Sequence, residues 1–159
     1  MKQLFSAIRP AVATDAVAIG QLAQEFAEYL RGLGDRTDFK LTAETVLRDG
    51  FGVNPAFAGL VAEDSDVVVG YLLYHFGYDS DRAARILYIA DLFVTHAARR
   101  GGVGTALLVE VARIARAAGA ESLIWSVYQH NAEATRFYQA CGATRLSDVF
   151  FMSLEAGRI

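Results

Sequence analysis

Apolar residues follow two different periods along this chain. Ile19, Leu22, Phe26, Leu30 and Leu33 recur at helical spacing, behind Thr14 and Asp15, either of which can cap a helix. Ahead of them residues 4–8 read as a strand that ends at Arg9-Pro10, and residues 42–49 as a shorter helix stopped by Gly50. The period then changes. Residues 57–62 and 67–76 are apolar and β-branched or aromatic, and the Glu63-Asp64-Ser65-Asp66 joint has the composition of a hairpin turn. A third strand, 86–94, follows a turn around Asp79-Ser80-Asp81. Val103, Leu107, Val111, Ile114 and Ala118 then form a helical stripe ended by Gly119, with a strand at 122–127 after it. Residues 131–140 predict another helix, closed by Gly142, and 143–154 a last strand or strand pair. Antiparallel hairpins followed by a β-α-β unit predict a mixed sheet with helices on its faces, an α/β (α+β layer) fold.

Length and charge narrow the function. The 159 residues, 53% hydrophobic and 21% charged, suit one domain with a real core, and no linker, repeat or composition shift divides 1–159. The net charge of −3, with Arg99-Arg100 the one basic pair that stands out, argues against nucleic acid as a partner. The longest apolar stretch, 67–76, contains Gly70 and His75 and is far short of a membrane span. Arg9 and Asp15 interrupt any signal-peptide core, and the single Cys141 forms no internal disulfide, so a cytoplasmic protein is expected.

Between the strand ending at Val94 and the helix opening near Val103 stands Arg99-Arg100-Gly101-Gly102-Val103-Gly104-Thr105. Glycines admit a ligand close to the backbone, and the unpaired first N–H groups of a helix carry the positive end of its dipole, so this loop is suited to an anion such as a diphosphate. A plain glycine-softened β-α connection would share these features. A Walker lysine is absent, and no βαβ unit opens the chain as in a dinucleotide-binding fold.

The Arg99-x-x-Gly102-x-Gly104 spacing after a strand and opening a helix resembles the acetyl-CoA loop of the GNAT superfamily of N-acetyltransferases. Ile8-Arg9-Pro10 at the start, and Asn131, Phe137-Tyr138 and Gly142-Ala143 near the end, extend the likeness over nearly the whole chain. Within the superfamily the chain is similar to the diamine (spermidine/spermine and thialysine) acetyltransferases, through Asp49-Gly50-Phe51-Gly52, Leu60-Val61-Ala62-Glu63, Tyr88 and Asp91 with Phe93-Val94. The resemblance implies a mixed, mostly antiparallel GNAT-like sheet with helices on both faces and a β-α-β acetyl-CoA unit. It also implies acetyl-CoA as co-substrate, a small amine as acceptor and a homodimer.

The same resemblance assigns roles. Leu92, Phe93 and Val94 line the cofactor, with the backbone of Leu92 and Val94 on the pantetheine arm; Arg99, Arg100, Gly101, Gly102, Val103, Gly104 and Thr105 hold the diphosphate. Tyr138 is the general acid beside the CoA sulfur, a proton donor for a thiolate whose conjugate acid has a pKa of roughly 8 to 9 if it behaves as a cysteine thiol. Asn131 lies along the CoA arm and independently reads as a helix N-cap. On the acceptor side stand Tyr29, Ala90, Asp91 and Asp148. Two carboxylates of the subgroup are missing: Ala90 replaces a glutamate before the strand's aspartate, and Leu30 replaces an acid after Tyr29. Strand alternation puts Ala90 and Asp91 on opposite faces unless a bulge rotates the strand, which makes Asp91 a supporting acid rather than the base. A water chain to Asp148 or Glu28 is the other route for the amine proton. Fewer carboxylates favour a smaller amine than spermine. Retained Tyr138 points to an enzyme, lost acid at Ala90 to an acyl-CoA sensor on the same fold.

The remaining candidates are structural. Cys141 reads as a small packed residue in a helix cap, Trp125 as core, and His75, His96 and His130 are too scattered for a metal site, so none is expected. Tyr71, Tyr74 and Tyr78 read as aromatics with wet ends at a pocket or dimer edge, or as ordinary half-buried strand residues.

Overall fold

The computed structural model describes residues 5 and 7–158. Strands β1 (Ala7–Pro10), β2 (Ala58–Asp64), β3 (Val67–Asp79), β4 (Ala84–Val94) and β5 (Ser122–Trp125) form one sheet in sequence order. The first four run antiparallel and β5 joins β4 in parallel, through helix α3 (Val103–Ala117). Helices α1 (Ala16–Gly32) and α2 (Ala43–Phe51) precede β2, and α4 (Ala132–Ala140) follows β5. The expected mixed sheet with a late β-α-β unit is what the chain forms.

Two apolar cores flank the sheet. Ile19, Leu22 and Ala23 of α1 and Val46 of α2 pack on Val61, Tyr71, Leu73 and Phe93. On the opposite face Val103, Leu107 and Val111 of α3 pack on Leu60, Leu72, Leu87 and Ile89. Leu107 and Leu72 are fully buried, each burial stabilising the layer by about 1.5–3 kcal/mol. At the joint of β1, β2 and the turn before α1, the Arg9 guanidinium bonds Asp15 at 2.7 Å and Glu63 at 2.5 Å. Asp15 thus precedes α1 as expected, but its carboxylate serves Arg9 and the Val12 N–H instead of capping the helix.

The decisive irregularity is in β4. Leu73 pairs with Asp91 but Tyr74 pairs with Ile89, leaving Ala90 as an extra, bulged residue. The bulge inverts the faces. Upstream, Leu87 and Ile89 belong to the α3-side core; downstream, Phe93, which regular alternation would put on the same side, belongs to the α1-side core.

Several boundaries differ from expectation. Helix α2 continues through Gly50 to Phe51, and β3 runs three residues beyond 76 to Asp79. Leu4, the expected start of β1, lies outside the described residues. The expected strand or strand pair at 143–154 is not formed: the segment is irregular, and Val149, Phe150, Phe151, Met152 and Leu154 are exposed. A strand exists only against a partner edge, and this segment meets none among the described residues. Cys141, expected to be packed, is exposed just past α4, because that helix buries no residue fully. Tyr71 has no wet end; it is fully buried, Tyr74 nearly so, and Tyr78 exposed. No helix of the described residues is long and apolar enough to cross a membrane.

Candidate active site

The parallel partner of β4 is short. Strand β5 pairs only with the stretch from Ile86 to Ile89, while β4 continues to Val94 with β3 alone beside it. Where the two parallel strands part, a cleft of about 390 Å³ opens, lined by Leu92, Phe93 and Val94 of β4, the start of α3, one side of α4 and Phe26 and Tyr29 of α1. The backbone of β4 therefore presents an unpaired edge to this cleft, the arrangement that receives an extended, amide-bearing ligand as an added strand.

One end of the cleft is an anion cradle. After β4 the chain makes a short turn, His96–Ala98, then reaches Arg99 and Arg100. Gly102 caps α3 at φ 82°, a left-handed conformation that glycine adopts without strain. The first helical bond runs from Ala106 N–H to Gly102 O, which leaves the N–H groups of Val103, Gly104 and Thr105 without helical partners. Glu25 of α1 braces the turn, accepting from Thr95 Oγ1 at 2.8 Å and from His96 N at 3.1 Å. Gly104 allows α4 to approach: a Cβ there would stand 3.0 Å from the Phe137 ring.

The other end holds Tyr138. Its ring lies 4.9 Å from Trp125 and 5.1 Å from Phe137, and it packs on the α3-side core. Burial, with the charges of Asp91 and Cys141, pushes its hydroxyl up to about 12, so the phenol keeps its proton at neutral pH. Asp91 accepts a 2.6 Å hydrogen bond from Tyr71 Oη. Burial raises its carboxyl to about 6, against the opposing hydrogen bonds from Tyr71 and the Leu92 backbone. It ionises near neutrality. Ala90, beside it, is exposed on the bulge.

Tyr29 reaches α4 across the cleft. Its hydroxyl is 3.2 Å from Asn131 Oδ1 and 3.1 Å from Glu133 Oε2, and burial first, then Glu133, raises its pKa. Asn131 caps α4 as expected, accepting from Ala134 N at 3.1 Å. The Arg99 guanidinium lies over the rings of Tyr29 at 4.6 Å and Phe93 at 5.4 Å.

The structure thus brings together Tyr29, Leu92, Phe93, Val94, Arg99, Arg100, Gly102, Val103, Gly104, Thr105, Asn131 and Tyr138 around one cleft. Gly101 is buried behind the loop. Asp148 and Glu28 are exposed outside the cleft lining, and the Asp148 carboxylate accepts from Ser147 Oγ. Sequence reasoning did not assign Phe26, Ala98, Glu133, Ala134 or Phe137 to the site. An acid in the first turn of a helix reads as a dipole partner, which concealed Glu133. Among the described residues no group of three or more His, Cys, Asp or Glu could hold a metal.

Comparison with known proteins identifies a family and a shared fold. Residues 19–143 match the acetyltransferase (GNAT) family. The chain is 34% identical over 152 residues to a thialysine N-epsilon-acetyltransferase of Bos taurus, covering 91% of this chain and 87% of that one. It is 35% identical over 147 residues to spermidine/spermine N(1)-acetyltransferase-like protein 1 of Homo sapiens, covering 88% of this chain but 21% of that longer protein. Among solved structures, a tetramutant of the BH1408 protein from Bacillus halodurans shares the fold with a TM-score of 0.78 at 22% identity, over 94% of this chain and 100% of that one.

Proposed function

This chain belongs to the acetyltransferase (GNAT) family and is an acetyl-CoA-dependent N-acetyltransferase, and we propose that its acceptor is the primary amine of a small molecule: a diamine, polyamine or amino-acid-like amine. The observation that carries the reading is one cleft lined by both an anion cradle and a half-buried phenol that keeps its proton.

In this reading the diphosphate of acetyl-CoA sits on the N–H groups at the start of α3, helped by Arg99 and Arg100. The pantetheine arm runs along the open edge of β4 at Leu92 and Val94. The amine nitrogen attacks the thioester carbonyl carbon, forming the C–N bond; a backbone N–H of β4 steadies the oxyanion. The C–S bond then breaks as the sulfur takes the Tyr138 proton. The nitrogen gives up its own proton to Asp91 through water, and proton exchange with solvent then reprotonates the Tyr138 phenolate and frees Asp91. The β4 bulge supports that assignment: it turns Asp91 out of the α3-side core to the face where Ala90 is open.

The acceptor class follows from the carboxylates that are left. Both curated relatives are named for cationic amines. Ala90 removes a charge that would attract a long polycation, whereas the other substituted position, Leu30, is fully buried; Tyr29 and Asp91 remain as the proposed substrate-side residues, with Asp148 outside the cleft lining. A short amine is therefore favoured over spermine. The test is thiol release from acetyl-CoA with a panel of ornithine, thialysine, putrescine, spermidine and spermine. Turnover with the short amines above that with spermine is expected; no turnover with any of them overturns the proposed acceptor class. Ala90→Glu should shift the preference toward spermidine and spermine.

The working unit is proposed to be a homodimer. The exposed apolar run Val149, Phe150, Phe151, Met152 and Leu154 is a large hydrophobic surface for a monomer to leave in water.

A further inference from the structure

Arg99 is already engaged inside the cleft that its ligand must enter. Its Nε donates to Val94 O at 3.1 Å, an acceptor on the open β4 edge. One guanidinium nitrogen stands 3.6 Å from Glu133 Oε2 on α4, and the group stacks between Tyr29 and Phe93. Tyr29 Oη in turn bonds Glu133 at 3.1 Å. Three elements, the start of the α3 loop, α1 and the first turn of α4, are thereby joined across the mouth of one groove.

We propose that Arg99, Tyr29 and Glu133 form a clasp that closes the acyl-CoA groove, so that Glu133 raises the cost of entry for every thioester and the Arg99 it releases offsets that cost only for one carrying a diphosphate, a reading that rests on the acetyl-CoA cleft proposed above. An extended thioester arm that pairs with the Val94 carbonyl meets the Arg99 guanidinium already bonded there. Every donor must displace the guanidinium, and only one that carries a diphosphate at the start of α3 offers it a stronger anion than Glu133 in return. A thioester lacking the diphosphate breaks the same contacts and recovers nothing. Arg99 consequently acts twice: it bars the groove when held by Glu133, and grips the ligand when released.

Glu133 and Arg99 are only partly buried, with side chains 51% and 22% exposed, so the clasp is a modest one. Removing the Glu133 charge should tighten binding about two- to fivefold. The experiment measures binding of acetyl-CoA and of S-acetylpantetheine, which ends before the diphosphate, by titrating the Trp125 fluorescence. Glu133→Gln should tighten both ligands. Tyr29→Phe, which keeps the ring under Arg99 and loses the bond to Glu133, should tighten both by less. Arg99→Ala should act with opposite signs, tightening S-acetylpantetheine about five- to tenfold and weakening acetyl-CoA. Unchanged or weaker binding of both ligands by Glu133→Gln and Tyr29→Phe, or no gain of S-acetylpantetheine in Arg99→Ala, overturns the clasp. Failure of the unaltered protein to bind acetyl-CoA at all would instead overturn the assignment of the cleft. Matching thermal midpoints show that each variant is folded.

Discussion

Tyr71 Oη donates a 2.6 Å hydrogen bond to Asp91 Oδ2 across neighbouring strands, joining a fully buried phenol to a carboxylate that burial has raised to about 6. The pair exists because the β4 bulge at Ala90 carries Asp91 to the α1 side of the sheet, the side on which Tyr71 is packed. Regular pairing would have turned the carboxylate into the apolar α3 core, where its charge would be far costlier.

That environment makes stability depend on pH in a defined sense. A carboxyl raised from 3.8 to about 6 holds its proton more tightly in the folded chain than in the unfolded one. Its favourable contribution is therefore complete below about pH 4 and is lost as pH rises through 6, to the extent of about 3 kcal/mol. Urea unfolding at pH 5 and at pH 8 should show Asp91→Asn gaining on the unaltered protein between the two. An equal difference at both pH values would show that Asp91 titrates normally.

The phenol of Tyr138, raised to about 12, remains a donor through the working pH range. Tyr138→Phe removes the hydroxyl and keeps the ring against Trp125 and Phe137. Turnover should fall on the order of 10²-fold with acetyl-CoA affinity nearly unchanged. Steady-state rates together with calorimetry separate the two; full turnover would return Tyr138 to a packing role.

Gly102→Asp puts a side chain at φ 82°, a conformation aspartate shares with asparagine, and an anion at the diphosphate cradle, which is the decisive penalty. Acetyl-CoA binding should be lost in calorimetry while the circular dichroism is retained. Gly102→Asn is the control, since asparagine tolerates the left-handed region and is neutral. It should bind within severalfold of the unaltered protein.

Glu25→Ala removes the acceptor that holds Thr95 and His96 in place behind the cradle. Acetyl-CoA should bind about tenfold more weakly, and the His96 amide should exchange its hydrogen faster. Unaltered exchange would mean that the turn holds itself.

Light scattering should give twice the 17.3 kDa of the chain at micromolar concentration. Paired charges in the exposed run, Phe150→Asp with Met152→Asp, should return it to 17.3 kDa. A monomer before substitution would leave that apolar run without the proposed partner.

The order of the elements from β1 to α4 is legible in the sequence. Helical stripes such as Val103, Leu107 and Val111 bury one face, and the continuous apolar runs of β2, β3 and β4 bury both, so local pattern and tertiary burial agree. The α3 cradle is legible too, since glycine spacing at Gly102 and Gly104 answers to local backbone geometry and close approach. Tertiary structure alone decided the rest. The bulge that turns Asp91 over depends on how β4 registers against β3, a relation between strands that no alternation within one strand records. Glu133 meets Tyr29 and Arg99 across distances of 104 and 34 residues in the chain, so its place in the cleft is set by the tertiary fold that brings the start of α4 opposite Tyr29 and Arg99. The segment 143–154 carries strand-forming residues, yet a strand needs an edge to pair with, and only the assembled molecule supplies or withholds that edge.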